Sequence, residues 1–369
     1  MGKKILFVAS TSDHLLNFHV PYMKELKKDN QVFTMAKDGV EPFADYNIDF
    51  KKKIISCKNL KNITKIKRIL EAEKFDIIIC NTTLASFYVR MAVKKLKIKP
   101  YVVNIVHGYL FGRYSNWFYK TALIAAEKMV KKVTNKVVVM NDEDYDIAVL
   151  NKLSSGDVVK IDGMGIDGTR FSKESQVKGN ASNKEITFSF VGELSTRKNQ
   201  KFLINFVKRL EDFDINAKLN LIGDGALKKK LEKFIKRKKL QDKVFLLGYD
   251  KNIQSHFNST SYYVCASKIE GLPFNILEAM FAGSVVFSSD AKGNVDLVDD
   301  LENGVLFECE NMDDLINKFR LVKNNLTLQE KLRKNAKETA KRYLIENVFD
   351  TNVNIIKDII KELDNGKSE

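Results

Sequence analysis

Short apolar runs alternate with helix-period segments along nearly the whole chain, and this alternation limits the fold more than any other feature. Residues 4–9 (Lys-Ile-Leu-Phe-Val-Ala), 31–35, 76–80 (Asp-Ile-Ile-Ile-Cys), 101–106 and 136–140 read as strands. Helical patterns such as 20–28, 63–73 and 84–97 lie between them. The strands are continuously apolar, so both faces must be covered, which calls for a parallel sheet with helical crossovers. A polar, proline-free stretch at Ser172–Lys184 reads as a linker. The alternation then restarts, with strands expected at 186–191, 218–222, 244–247, 262–266, 285–288 and 304–307. Helices are expected at 200–210, 226–238, near 253–258, 311–323 and 328–363. The predicted fold is α/β, with two doubly wound Rossmann-like domains facing a cleft. Residues 1–170 form the first domain, 171–345 the second, and 346–369 a C-terminal helix crossing back to the first. Ligands of such sheets bind beyond the carboxyl ends of the strands, so the loops at those ends should hold the site.

The chain has 369 residues, enough for two ordinary cores. Cys57, Cys80, Cys265 and Cys309 are far apart with no C-x-x-C pair, and are read as buried free thiols of a reducing compartment. The opening strand is too short for an export signal, and no apolar window reaches about 18 residues. A cytoplasmic protein without a spanning helix is the expectation.

The net charge is +15 and uneven: residues 1–170 hold 29 Lys and Arg against 18 Asp and Glu, an excess of +11. Basic clusters fall at Lys58, Lys61, Lys65, Lys67 and Arg68, at Arg90, Lys94, Lys95, Lys97 and Lys99, and at Lys128, Lys131, Lys132 and Lys136. They read either as a solvated surface or as attraction to anionic lipid, at roughly 1 kcal/mol per basic residue. Tyr114-Ser-Asn-Trp-Phe-Tyr119, with the only tryptophan, lies between two clusters and suits a lipid interface. Peripheral association with the inner face of the cell membrane is therefore expected. No nucleic-acid-binding motif is present.

The most informative motif is Glu270-Gly-Leu-Pro-Phe-Asn-Ile-Leu-Glu278. Pro273 suits the first turn of a helix, which puts Glu270 in the loop ahead of it and Glu278 in its second turn. The helix start forms an anion site. A negatively charged ligand with hydroxyls at both ends, such as a nucleotide sugar, fits this arrangement. Phe190-Val-Gly-Glu-Leu-Ser-Thr-Arg-Lys-Asn199 delivers Gly192 from a strand into a loop, then Arg197 and Lys198, two cations suited to phosphate. Val244–Tyr249 brings Gly248 to a strand end where backbone can approach a base. Ile222-Gly-Asp-Gly-Ala226 reads as a turn plus helix cap. His107-Gly108-Tyr109 ends a buried strand, and Thr11-Ser12-Asp13-His14, followed by His19, forms the first strand-to-helix turn.

Three patterns mislead. Gly163-Met-Gly-Ile-Asp-Gly168 spells a dinucleotide fingerprint but lacks the helix that must follow it. Asp142-Glu143-Asp144 is better explained by capping, with Asn141 or Asp142 as the cap, than by metal binding. The scattered His and Cys make no evident ligand set, so no metal is expected.

Taken together these segments resemble glycosyltransferase family 4, the retaining nucleotide-sugar transferases of GT-B fold, of the bacterial capsular or exopolysaccharide type. The likeness covers nearly the whole chain and rests on the Glu270–Glu278 signature, on Gly192 with Arg197, Lys198 and Asn199, and on His107-Gly108-Tyr109. It implies that Glu278 holds the ribose hydroxyls and that Glu270, with the backbone of Gly271, Leu272, Pro273 and Phe274, meets the donor sugar. It implies that Arg197 and Lys198 neutralise the diphosphate in place of a metal and that His107 touches the sugar near the reacting carbon. Asp13, His14 and His19 fall on the acceptor side. Many members carry Arg after the motif glycine, where this chain has Glu193, and a Gly-Gly pair where it has Thr11–His14. The expected reaction moves a hexosyl or N-acetylhexosaminyl group from a donor, UDP-linked, to a glycan or lipid-linked glycan in envelope polysaccharide synthesis, with no cofactor. The rivals are a nucleotide-sugar 2-epimerase of similar fold and a non-catalytic nucleotide-sugar-binding partner of a transferase.

Overall fold

A computed structural model describes residues 2–38, 40, 43–51, 56–171, 186–258 and 260–366. The linker expected at Ser172–Lys184 lies outside the described residues. The chain divides into two compact units, Met1–Gly165 with Glu346–Glu369, and Ile166–Ile345.

The first unit is built on a parallel sheet of β1 (Lys4–Val8), β2 (Gln31–Ala36), β3 (Ala44–Asn47), β4 (Ile77–Asn81), β5 (Tyr101–Ile105), β6 (Lys136–Val139) and β7 (Val158–Lys160). Their order is β3-β2-β1-β4-β5-β6-β7. The central strands are buried along their length, as their continuous apolar runs require, with Ile77–Asn81 wholly inside. The edge strands β3 and β7 were not expected from sequence; both are short and carry polar residues, so no apolar run marks them. The Thr11–His14 turn is also corrected: Ser12 to His14 form the first turn of a helix, Ser12–Phe18.

The helix Ile345–Asn365 closes the first unit. Its Asn352 amide donates to Tyr22 Oη (3.1 Å) and to the Gly163 carbonyl (2.8 Å). Tyr22 Oη in turn donates to the Met164 carbonyl at 2.8 Å, and the Tyr22 ring stacks on Phe349. Lys3 pairs with Asp364 and Lys357 with Glu25. The single helix expected over 328–363 is two, Leu326–Lys341 and Ile345–Asn365. The break falls where Ile166 bridges Leu344, donating its N–H to the Tyr343 carbonyl and accepting from Ile345 N–H.

The second unit repeats the plan with β8 (Ile186–Val191), β9 (Ala217–Ile222), β10 (Val244–Gly248), β11 (Tyr262–Cys265), β12 (Val285–Ser289) and β13 (Val305–Phe307), in the order β10-β9-β8-β11-β12-β13. In each unit the strand order reverses direction between neighbours, at β1/β4 and at β8/β11. Such switch points leave a crevice at the strands' carboxyl ends.

Two surface expectations change. Arg90 is fully buried, paired with buried Glu127 at 2.9 Å and donating to Thr134 Oγ1 and the Ser86 carbonyl. It belongs to the core and not to a basic face, since a guanidinium enters the interior only with partners. Of the cysteines, Cys80 and Cys265 are buried, but Cys57 is exposed at a helix start and Cys309 is half-buried.

Candidate functional site

In the second unit, three glycines stand side by side at the carboxyl ends of β8, β9 and β10. Gly192 N–H donates to the Ile222 carbonyl and Gly223 N–H to the Gly248 carbonyl. Gly192, Gly223 and Gly248 have φ of 152°, 137° and 77°, which glycine adopts without steric cost. A Cβ on Gly223 would lie 2.0 Å from the Gly192 carbonyl oxygen. The turn after β9 leads into a helix at Lys228–Lys238, with Leu227 as its uncapped start, so the cap expected at Gly223–Ala226 is not formed by a side chain.

The loop after β8 carries Arg197 and Lys198 to the loop after β11, which carries Glu270. Arg197 Nη1 donates to Glu270 Oε2 (2.8 Å) and to the Ile269 carbonyl (2.9 Å), and Lys198 Nζ lies 2.6 Å from Glu270 Oε1. Lys198 and Glu270 are buried, whereas the Arg197 side chain is 36% exposed. Burial alone would raise the Glu270 carboxyl, but the Lys198 and Arg197 charges outweigh it and hold the group below its ordinary 4.5. Both Arg197 bonds use Nη1, which leaves Nη2 and Nε for a ligand. Sequence reading brought these three residues to one site without foreseeing that they pair with each other.

The helix Phe274–Phe281 begins right after this cluster. Pro273 is its N-cap and not a residue of its first turn, and its carbonyl accepts from Ile276 and Leu277. Ile276, Leu277, Ala279 and Met280 are buried, each large side chain contributing about 1.5–3 kcal/mol to anchoring the helix. Asn275 ties the helix to β8: its amide donates to the Val191 carbonyl (2.8 Å) and to Tyr263 Oη (2.7 Å). Glu278 is half-buried in the second turn. Gly271, Leu272 and Pro273 are buried and Phe274 half-buried.

A third loop was missed from sequence. After β12, the buried Lys292 accepts at its carbonyl from Glu270 N–H (3.0 Å), and Gly293 packs on the Glu270–Gly271 backbone so closely that a Cβ would sit 2.5 Å from the Gly271 carbonyl oxygen. Asn294 donates to the Ser289 carbonyl and Oγ, and Ser289 Oγ to the Ser267 carbonyl. The signal was its place at a strand's carboxyl end.

In the first unit the fold gathers residues far apart in sequence. His14 lies within helix Ser12–Phe18, His19 is its C-cap, and His107 follows β5. The His14–His107, His19–His107 and His14–His19 ring centroids are 4.4, 5.4 and 5.6 Å apart. His107 Nε2 is 3.3 Å from Asn81 Oδ1 at the end of β4. The expectation of scattered histidines is thus corrected. His19 is fully buried and is not a surface contact for an acceptor, while His14 and His107 are half-buried and Asp13 is exposed. The rejected fingerprint at Gly163–Gly168 runs into a short 3-10 turn, Gly168–Phe171. Asn141 caps the helix Asp142–Leu150 by accepting from Asp144 N–H.

The comparisons with known proteins agree with this architecture. The family model for group 1 glycosyl transferases matches residues 171–339, and the one for glycosyl transferase 4-like proteins matches residues 4–141. HepE from Anabaena, solved with UDP and glucose, superposes with a TM-score of 0.75 at 18% identity, covering 97% of this chain and 99% of that one. Sucrose-phosphate synthase from Thermosynechococcus elongatus gives 0.78 at 16% identity, covering 99% and 100%. The fold is that of the GT-B glycosyltransferases. The chain belongs to their group 1, family 4-type members. Bacillus subtilis EpsD, named as a glycosyltransferase, is 25% identical over 358 residues, 93% of each chain. An Escherichia coli UDP-Gal:alpha-D-GlcNAc-diphosphoundecaprenol alpha-1,3-galactosyltransferase is 25% identical over 276 residues, 72% of this chain and 71% of that one.

Proposed function

We propose that this glycosyltransferase moves a hexosyl or N-acetylhexosaminyl group from a UDP-linked donor to a hydroxyl of a lipid-linked or polymeric envelope glycan, with retained configuration. The observation that carries the reading is the Arg197–Glu270–Lys198 cluster beside the start of helix Phe274–Phe281. Fixed cations and a helix N-terminus together suit a diphosphate that gains charge as it leaves. Arg197 faces the diphosphate without a metal, and Lys198 adds charge while fixing Glu270. Glu270 and the Gly271–Phe274 backbone meet the sugar, Glu278 the ribose, and Gly248 the base. His107 contacts the sugar, with Asp13 and His14 on the acceptor side. The E. coli relative's named lipid-linked acceptor supports the acceptor class.

Membrane attachment belongs to the same reading. Trp117 and Phe118 are 63% and 66% exposed, stacked on one another at the start of helix Trp117–Val130. Met129 is exposed on that helix, and Lys128, Lys131 and Lys132 lie at or just past its end. Exposed aromatics beside lysines suit an anionic headgroup layer. No helix among the described residues is long and apolar enough to cross a membrane.

The direct test incubates the protein with a panel of nucleotide sugars and measures nucleotide release and thermal protection. A UDP-sugar should be selected. Protection by none, with the protein folded, would remove the donor reading.

A further inference from the structure

Three of the four histidines converge in the first unit, and the fold leaves their nitrogens without an evident purpose. Nε2 of His14 and both ring nitrogens of His19 are buried with no hydrogen-bond partner. Native interiors rarely leave buried polar atoms unmatched, so the cluster calls for a ligand. One ring nitrogen from each of His14, His19 and His107 lies within 4.8 Å of the other two.

The chemistry of the cluster selects the ligand. The three rings pack against one another in the interior, which disfavours a charged imidazolium on any of them. Neutral imidazoles are poor receptors for an anion and good ligands for a metal. Around a tetrahedral ion with metal–nitrogen bonds of about 2.0–2.1 Å, ligand nitrogens stand about 3.4 Å apart and ring centroids about 5 Å apart. The observed centroid separations of 4.4 to 5.6 Å bracket that value, so small rotations of the rings close the set. The surrounding shell is also of the right kind. The Asn81 amide donates to the Ile79 carbonyl, which turns Oδ1 toward His107. His107 Nε2 then carries the proton and Nδ1 the lone pair, as in metal sites whose ligand histidines donate to an outer oxygen.

We propose that His14, His19 and His107 bind one divalent transition-metal ion of the zinc class. Three protein ligands leave one coordination position open to water or to a substrate oxygen. The site shares His14 and His107 with the proposed reaction, whose contacts to sugar and acceptor would then pass through the open coordination position, and its test reads the metal and not glycosyl transfer.

Untagged, chelator-stripped protein is dialysed against zinc and the bound metal counted, then cobalt(II) is added to the stripped protein and its visible spectrum recorded. One zinc per chain is expected, with affinity at least tenfold weaker in His14→Gln and in His107→Gln and unchanged in His256→Gln. Cobalt should give the intense visible bands of tetrahedral coordination, lost in the same variants. His19→Gln alters a fully buried residue and can fail to fold, so the half-buried His14 and His107 carry the test. Absence of zinc binding by the folded wild type overturns the proposal. So does binding unchanged in both His14→Gln and His107→Gln, or a weak octahedral cobalt spectrum.

Discussion

At the scale of single residues, Glu270 decides most. It is buried with two cations, so removing its charge leaves Lys198 charged and unpaired in the interior. Glu270→Gln should lower stability by about 3–5 kcal/mol, as breaking a buried pair generally does, in addition to slowing transfer. The pH dependence has a definite sign. The folded-state carboxyl titrates below its ordinary 4.5, so its contribution is complete above about pH 5 and is lost as pH falls through the lowered value. Denaturant unfolding at pH 7, 5, 4 and 3 should show the gap between wild type and Glu270→Gln steady at first and then narrowing. A gap that stays constant to pH 3 would mean that the ion pair is not formed. Arg197→Ala removes the half-exposed cation and should weaken UDP binding about tenfold or more, the scale of a charge-assisted contact of roughly 1.5–3 kcal/mol, with a smaller fall in melting temperature than Glu270→Gln because Lys198 stays on Glu270. Unaltered UDP affinity by calorimetry would take Arg197 out of the donor site. The identities of these residues were readable because the chemistry demands their types in two loops at strand ends. Their mutual pairing was not, because Arg197 and Glu270 lie 73 positions apart and only the β8/β11 neighbourhood joins them.

At the scale of elements, the apolar runs made the central strands plain, and β8 and the helix Gln200–Leu210 fall where the pattern put them. The edge strands escaped because a short, half-polar run leaves no periodic trace, and helix Ser12–Phe18 because its first residues favour turns equally. The loop after β12 was illegible for another reason: Gly293 matters through the space it leaves and not through any group it carries. Gly293→Ala should therefore disrupt donor binding, since a Cβ there meets the Gly271 and Glu270 backbone and φ is 80°. Gly283→Ala is the matched comparison. Its φ is 82° but nothing lies within 4 Å of the added carbon, so only the left-handed backbone cost of roughly 1–2 kcal/mol applies. Melting temperature and UDP affinity should fall clearly further for Gly293→Ala. Equal effects in the two variants would show that the loop after β12 does not shape the site.

At the scale of the whole molecule, the +11 excess of residues 1–170 and the exposed Trp117–Phe118 pair give a prediction about lipid. The protein should co-sediment with vesicles containing anionic lipid and not with neutral ones, and the binding should weaken steeply with salt as charges beyond about 8–10 Å become screened. Replacing Lys128, Lys131 and Lys132 by Glu should reduce it while UDP affinity stays the same. Equal binding to both vesicle types, or to neither, would count against attachment. The return of helix Ile345–Asn365 to the first unit has a consequence for the newborn chain. A ribosome finishes every strand of the first sheet well before it makes the residues that seal that sheet against Tyr22, Gly163 and Lys3. The whole second unit is made in between. The first sheet therefore has to hold apolar surface uncovered while all of its neighbour is being synthesised.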